Sequence, residues 1–395
     1  MNKSVLLLIA YLVVGALSVA CPLLDDKKPD DAAILNELKP TSEEEAKRKK
    51  DAKKLIYTHD VAIISTKKGL ARIVKHDNDE PQALHEYEIE QHIAHQDNPL
   101  VPGTPPPHHF AYSYGCWAHD IYFYTATQAT GGHMDEDKER NHFLESPPAE
   151  QAATLDKMAS ALLALHLAGV VHCHVQPKMF GRLDGSITIF NFKKAIKQGN
   201  GFCTKDDKDH DYAAPELFKS DLSKINDMPQ KIRAAADDFS FGIVLIDMID
   251  KGKDKERPSK TLMDKSNDGK SYADTLITGV INSKFDGMIK EAEKLETPQL
   301  KAQRSFFLTQ MKAVVSGLTK FNVVERATLL DMLPAIHCIS AALGQAQANN
   351  LDEGKINVIF SSCKAVLESK KTSISTPRSL TEAMNGVKNE HNFLI

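Results

Sequence analysis

The 395-residue sequence lacks an excess of either charge, since 49 lysines and arginines stand against 53 acidic residues. The net charge of -4 gives no general attraction to nucleic acid or to anionic membranes, so no nucleic-acid partner is expected. We also expect no transmembrane segment beyond the N-terminus, because we find no later run long and apolar enough. No later asparagine begins an Asn-X-Ser/Thr site, which excludes N-linked glycosylation. The 42% of hydrophobic residues nevertheless suffice for a sizeable globular core.

The first 20 residues have the pattern of a secretory signal peptide. Lys3 supplies the positive start, residues 5–14 form the apolar run, and Ser18-Val19-Ala20 is a small-residue cleavage site. A membrane anchor is the alternative, but the run is short for a span and charged residues follow at once. We therefore expect a secreted protein, or one of a secretory compartment, from which residues 1–20 are removed.

A charged leader, residues 21–54, follows the signal segment. Thr41-Ser42-Glu43 is typical of the capped start of a helix that would run through Lys54, yet no apolar stripe accompanies it. We interpret the leader as solvated, either helical or disordered, with a partner-binding or membrane-docking helix as the alternative.

Six cysteines occur in the chain: Cys21, Cys116, Cys173, Cys203, Cys338 and Cys363. In an oxidising compartment an even number favours disulfides, although the count does not give their connectivity. The run His172-Cys173-His174 does not indicate zinc, because adjacent loop residues rarely point at one centre. No metal is therefore expected.

Apolar patterning from residue 55 predicts strands first and helices later. A hairpin over 61–65 and 70–75 is predicted around Lys67-Lys68-Gly69, then a helix over 82–95, strands over 110–117 and 121–127, a helix over 149–167 and a hairpin over 183–189. In the long helix, the residues with core-facing spacing are Leu155, Met158, Ala159, Leu162 and Leu163.

Several motifs follow one another in the second half of the chain. They are a helix ending in Leu165-His166, the loop His172-Cys173-His174 with Pro177, the triplet Asn191-Phe192-Lys193, the stretch Ala214-Pro215-Glu216, the segment from Asp237 to Leu245, and the turn Glu325-Arg326. In this order they resemble the catalytic core of a protein kinase, from the His-X-Asp loop and the Asp-Phe-Gly triplet to Ala-Pro-Glu and the late arginine.

The resemblance covers roughly residues 55–345 and implies an α+β, bilobal protein-kinase-like fold. A small β-rich N-lobe with one helix would occupy 55–128, and a larger, mainly helical C-lobe would occupy 129–345. A helical extension over 346–368 and a polar tail over 369–395 would follow. The lysine-rich stretch 251–270 exceeds a minimal kinase and is expected to be a surface insertion and a candidate docking site.

The resemblance places Lys75 and Glu88 where a lysine–glutamate pair holds the phosphates of the nucleotide, although Glu86 and Glu90 compete with Glu88. No glycine occurs at residues 58–60, where the phosphate-covering loop belongs, and side chains there would keep backbone amides away from phosphates. No cofactor is therefore expected, and residual binding of ATP and magnesium would be weak.

The residues that should perform phosphoryl transfer are replaced. The resemblance puts His174 at the catalytic aspartate, Gln176 at the loop lysine, Met179 at the metal-binding asparagine and Asn191 at the Asp-Phe-Gly aspartate. Each change removes a charge or a hard oxygen ligand, and a thioether is a poor magnesium ligand. No catalytic residue is therefore expected.

The resemblance assigns structural roles to the residues that are kept. His172, Phe192 and Asp237 would maintain packing, and Glu216 would pair with Arg326 inside the C-lobe. These positions persist although the reaction centre does not, so the resemblance implies a pseudokinase.

Cys173 stands where the family has an arginine that tethers a phosphorylated activation segment, and Cys203 lies within that segment. The resemblance thus suggests a Cys173–Cys203 disulfide as a covalent tether, with two buried free thiols as the alternative. Cys338 and Cys363 form a second candidate pair, which would close the terminal helices on each other.

The function predicted from these observations is that of a secreted, catalytically inactive pseudokinase that acts as a protein-binding scaffold or effector. A signal peptide on such a fold is similar in architecture to the secreted rhoptry kinase-like effectors of eukaryotic microbes, and the partner would be a host or self protein. One alternative is an atypical active kinase or kinase-fold transferase that uses His174 or Asn191. Another is a non-catalytic nucleotide-binding sensor that uses Lys75 and Glu88.

Overall fold

The computed structural model describes a large part of the chain. The described residues are 54–57, 61–66, 69–77, 80–94, 109–111, 113–119, 122–128, 130–183, 185–197, 203, 211–218, 230–250, 258–259, 262, 274–349, 351, 354–361, 363 and 365. The predicted signal peptide, the leader up to residue 53 and the polar tail lie outside them.

The described residues form two compact units. One comprises the described parts of Met1–Asp97, Phe110–Gly131 and Asn191–Lys193, and the other comprises those of Asn98–His109, Gly132–Phe190 and Lys194–Ile395. Gly131 thus belongs to the first unit and Gly132 to the second. The first unit is a sheet with one helix and the second is mainly helical, which is the α+β architecture that the sequence predicts.

The first unit is built on a five-stranded antiparallel sheet in the order β1-β2-β3-β5-β4. The elements are β1 (Lys54–Tyr57), β2 (Val61–Thr66), β3 (Gly69–Asp77), α1 (Glu80–Ala94), β4 (Ser113–His119) and β5 (Tyr122–Gln128). The predicted hairpin is present, since Thr66 of β2 pairs with Gly69 of β3. Isoleucine and valine in β2 and β3 favour the extended backbone that this pairing needs.

The second unit contains six long helices among its described residues. They are α2 (Asp137–Glu145), α3 (Pro148–Leu167), α4 (Gln230–Ile249), α5 (Asp274–Ala292), α6 (Pro298–Leu318) and α7 (Leu329–Ala348). Two short antiparallel ladders accompany them, one of β6 (Val170–Val171) with β9 (Ile196–Lys197) and one of β7 (Phe180–Leu183) with β8 (Ser186–Ile189). The hairpin predicted over 183–189 is the β7–β8 turn, where Gly185 adopts a φ of 77°.

The core of the second unit centres on α3. Its five residues with predicted core-facing spacing are all buried. A proline at the first helical turn starts α3, where the missing N–H has no partner to lose. Against it packs α7, which begins with a capping box between Thr328 and Asp331.

By length and composition, α7 is the one helix of the described residues that could cross a membrane. This differs from the expectation that no segment beyond the N-terminus is long and apolar enough to span a membrane. The apolar side chains of α7 include Leu329, Ile336 and Leu343, which are buried in the second unit. Packing against α3 and α6 accounts for this apolar composition, since a core helix has the same composition as a membrane span.

Two segments differ from their predicted structures. Lys54, the last residue of the predicted charged helix, begins strand β1 instead, because it pairs with Ile64 of β2. The lysine-rich stretch is not wholly superficial, since Pro258, Ser259 and Leu262 are buried. Ser259 is held by Asp247, which accepts its backbone N–H at 3.1 Å and its hydroxyl at 2.5 Å. The rest of that stretch lies outside the described residues.

Candidate functional site

The candidate site is the loop between α3 and β7, which contains the substituted kinase-like positions. The chain leaves α3 through Gly169, whose φ of 77° favours a residue without a Cβ. It then forms β6, and a 3-10 turn over Pro177–Met179 leads it into β7. The proline at the first position of the turn supplies the backbone angle that the turn requires.

The carboxylate of Asp237 in α4 holds the backbone of this loop. Its Oδ2 accepts the N–H of His172 at 2.6 Å, and its Oδ1 accepts the N–H of Cys173 at 2.8 Å. The Nε2 of His166, at the end of α3, lies 3.1 Å from the same Oδ2. Asp237 is only 1% exposed, so these charge-assisted bonds form away from water, where they are strong.

Cys173 adopts a left-handed backbone with a φ of 61°. This region is unfavourable for a residue with a Cβ and persists only where surrounding contacts hold it. Two contacts do so here: the bond from its N–H to Asp237 and a disulfide to Cys203. The structure thus contains the pairing that the kinase resemblance suggests, and it also joins Cys338 to Cys363.

Removing either disulfide should destabilise the protein. The bridges span 30 and 25 residues, and chain-entropy arguments assign loops of this length about 3.5 kcal/mol each. We expect the double variants C173S/C203S and C338S/C363S each to lose about that much free energy of unfolding, as measured by urea denaturation without reductant. A non-reducing peptide map should contain both cross-links, and the absence of either would contradict its assignment.

Next to Asp237 lies a second buried carboxylate, Asp238. Burial raises the pKa of Asp238 to about 7. Its Oδ1 is 3.9 Å from Nδ1 of His166, whose ring therefore has one aspartate near each nitrogen. Burial disfavours the charged ring of His166, but the hydrogen bond to Asp237 and the charge of Asp238 raise its pKa above the ordinary value. From the sequence alone, neither His166 nor Asp238 received a role. Their position as titratable residues within apolar helices was the feature that could have marked them.

The side chain of His172 is fully buried and has a structural role. Burial lowers its pKa, so the ring is neutral. Its Nε2 is 3.1 Å from the carbonyl oxygen of Phe190, which can only accept a hydrogen bond. The bond therefore ties the loop to the end of β8 and leaves no solvent-facing proton for chemistry.

The positions that would carry the reaction are placed as follows. Met179 is 1% exposed and Gln176 is 5% exposed, while His174 is partly buried. The carbonyl of Met179 accepts the N–H of Phe190 at 3.1 Å, and this backbone hydrogen bond connects the 3-10 turn to the end of β8. A buried thioether there supplies no oxygen for a metal.

Asn191 belongs to the first unit and has a left-handed φ of 68°, which asparagine tolerates better than most residues. Phe192 follows it at 2% exposure, in a short 3-10 helix that spans Phe192–Lys194. The aromatic packing position of the triplet is thus buried. Among the described residues, no group of three or more histidine, cysteine or acidic side chains could hold a metal ion.

The nucleotide-binding positions are only partly described. Lys75 lies in β3 opposite Tyr124, but its side chain and residues 58–60 lie outside what the structure describes. Glu88 is exposed on α1, whereas Glu86 is 1% and Glu90 7% exposed. The helix contacts β3, β4 and β5. Glu86 and Glu90 are thus buried carboxylates of α1, and the pairing of Lys75 with Glu88 stays a prediction.

Glu216 and Arg326 form the pair that the sequence analysis expected. The guanidinium donates to both carboxylate oxygens, from Nη1 at 2.6 Å and from Nη2 at 3.0 Å. It also donates to the carbonyls of Ala235 and Lys320 and lies 5.0 Å from the centre of the Phe239 ring. The arginine side chain is 0% exposed, so every one of these contacts replaces water.

Comparison with known proteins finds no matching family model and no matching curated protein. Among solved structures, the crystal structure of a kinase domain is similar over 71% of this chain and 92% of that chain, with a TM-score of 0.45 and 13% sequence identity. Such a likeness concerns the fold and says nothing about activity.

Proposed function

We propose that the chain is a secreted, catalytically inactive kinase-like protein that acts by binding another protein. One observation carries the proposal: Asp237 holds the backbone of the loop at His172 and Cys173, while the loop lacks the carboxylate and the amide that phosphoryl transfer uses. Selection for chemistry would keep those side chains, whereas selection for shape keeps only the frame.

The electrostatics of the substituted positions support this proposal. Transfer of a phosphoryl group needs magnesium and fixed positive charge near the γ-phosphate. A histidine at 174 that gains a proton would repel magnesium, and the neutral oxygen of Asn191 binds it more weakly than a carboxylate does. Met179 offers sulfur and is buried.

The two disulfides support an oxidising compartment. Such bonds persist in secreted proteins and are rare where thiols are kept reduced. The Cys173–Cys203 bond ties the loop to the segment that precedes Glu216, so this surface would be presented in one conformation without phosphorylation. A fixed surface of this kind suits recognition of a host or self protein.

The proposal predicts no specific nucleotide binding. The midpoint of thermal unfolding should be unchanged by ATP, whether magnesium or EDTA is present. Specific binding would be visible in this measurement, because a ligand at 100 times its Kd stabilises the folded state by about 2.7 kcal/mol. A shift that requires magnesium would instead support an atypical kinase or transferase. A shift in EDTA as well would support a nucleotide sensor. A Lys75→Ala variant is the control, since it should abolish any shift that arises at the kinase-like site.

A further inference from the structure

A cavity of about 790 Å³ lies in the second unit, away from the loop described above. It is bounded by one face of α6, by residues 354–361, which are helical, and by the connection between α5 and α6. Its volume is in the range typical of pockets that hold small ligands or short peptide segments. No part of the kinase-like site contributes to it.

The floor of the cavity is aromatic. Phe306 of α6 and Phe360 stack with ring centroids 3.5 Å apart and an interplanar angle of 4°. The disulfide from α7 to Cys363 secures the helical segment that carries Phe360. Small side chains at Ala302, Ser305 and Ser361 leave the space open. A flat apolar group would find a preformed surface here.

One polar group in the cavity has its hydrogen-bonding capacity unused. Gln310 is 7% exposed and lines the cavity, and no hydrogen bond engages its side-chain amide within the described part of the chain. Its amide atoms are not among the fully enclosed polar atoms that lack a partner, so the amide is accessible from the cavity and can pair with a ligand there. Its N–H donors and carbonyl oxygen together match the C=O and N–H of a peptide bond.

The rim of the cavity carries one charge of each sign. Glu296 and Lys301 both line it and are both exposed. A strongly acidic or strongly basic ligand would meet repulsion from one of them, whereas a neutral or mixed-charge segment would not. The chemistry of rim, floor and buried amide therefore converges on one class of ligand.

We propose that this cavity binds a peptide segment of a partner protein, with an aromatic side chain placed on the Phe306–Phe360 floor and its main-chain amide paired with Gln310. This proposal builds on the protein-binding role given above and names a site for it. It does not depend on the absence of catalysis.

The test measures binding of acetyl-Gly-Phe-Gly-amide to the full chain by ligand-observed NMR. We expect saturable binding with a Kd on the order of 0.1–1 mM, and at least tenfold weaker binding of acetyl-Gly-Ala-Gly-amide. Gln310→Leu should weaken binding of the phenylalanine peptide about tenfold, because it removes the amide at similar volume. Gln303→Leu is the matched control, since Gln303 is equally buried on α6 but does not line the cavity.

Ala302→Trp should abolish binding by filling the cavity, and an unchanged thermal midpoint would show that this variant folds. Three results would overturn the proposal: no saturable binding at 10 times the expected Kd, equal affinity for the two peptides, or no effect of Gln310→Leu beyond that of Gln303→Leu. Toluene binding that matches the peptide and ignores Gln310 would reduce the cavity to an apolar void. Peptide binding that fails while ATP has no effect would reject this site and leave the proposed function standing.

Discussion

Replacing Arg326 with leucine is expected to lower the free energy of unfolding by about 4 kcal/mol. The substitution leaves the carboxylate of Glu216 without its partner and removes the guanidinium donor from the carbonyls of Ala235 and Lys320. The guanidinium is fully buried and also lies over Phe239, so packing is lost together with charge. Urea denaturation of the purified chain measures the change.

Arg182→Leu provides the matched control. Arg182 donates to Glu139 at 2.7 Å, but its side chain is 33% exposed, and exposed ion pairs contribute less than about 1 kcal/mol. A second variant, Glu216→Gln, should lose most of what Arg326→Leu loses, because it leaves the buried guanidinium without an opposite charge. Equal, small effects of the Arg326 and Arg182 variants would show that the buried pair does not stabilise the fold.

Replacing Asp237 with asparagine is expected to lower the free energy of unfolding by about 3–4 kcal/mol. Its carboxylate accepts two backbone N–H groups and lies beside His166, whereas an amide has a single acceptor oxygen and directs an NH₂ donor at another donor. Cys173 would also lose one of the two contacts that hold its left-handed backbone. Urea denaturation measures the loss.

Asp238→Asn separates this effect from burial alone. Asp238 is the next residue of α4 and is equally buried, but burial raises its pKa to about 7, so about half of it is already neutral at pH 7. A neutral amide there should change the free energy of unfolding by less than about 1 kcal/mol at pH 7. An equal loss of stability in the Asp238 variant would contradict the assignment of the larger effect to the loop bonds of Asp237.

The helices and hairpins were largely predictable because their determinants are close together in sequence. The spacing of apolar residues located α3 to within one residue of its start, and the Lys67-Lys68 turn located the β2–β3 hairpin. Lys54 shows where this reasoning failed. Its charged neighbours favour a helix, but pairing with Ile64 of β2 places it in a strand, and that pairing is a tertiary contact.

The candidate site was predictable only as far as the kinase resemblance reached. It supplied the Glu216–Arg326 pair and the Cys173–Cys203 disulfide, because the corresponding positions are close together in that fold, whereas Cys363 of the second disulfide lies beyond the residues that the resemblance covers. The resemblance alone does not choose among Glu86, Glu88 and Glu90. Residues two apart on a helix lie on different faces, and the tertiary structure buries Glu86 and Glu90 and leaves Glu88 exposed.

Local patterning of the sequence thus determined which segments become strands and helices, since backbone hydrogen bonding and burial of one face act over a few residues. The kinase resemblance implied which chemical groups the loop has lost. Long-range packing decided the rest. Three features join segments that are far apart in the chain. They are the hydrogen bonds from the loop to Asp237, the contacts of His166 with two aspartates, and the cavity that contains Gln310 and the stacked rings. Such contacts depend on how whole elements pack against one another, and neighbouring residues in the sequence carry no record of that.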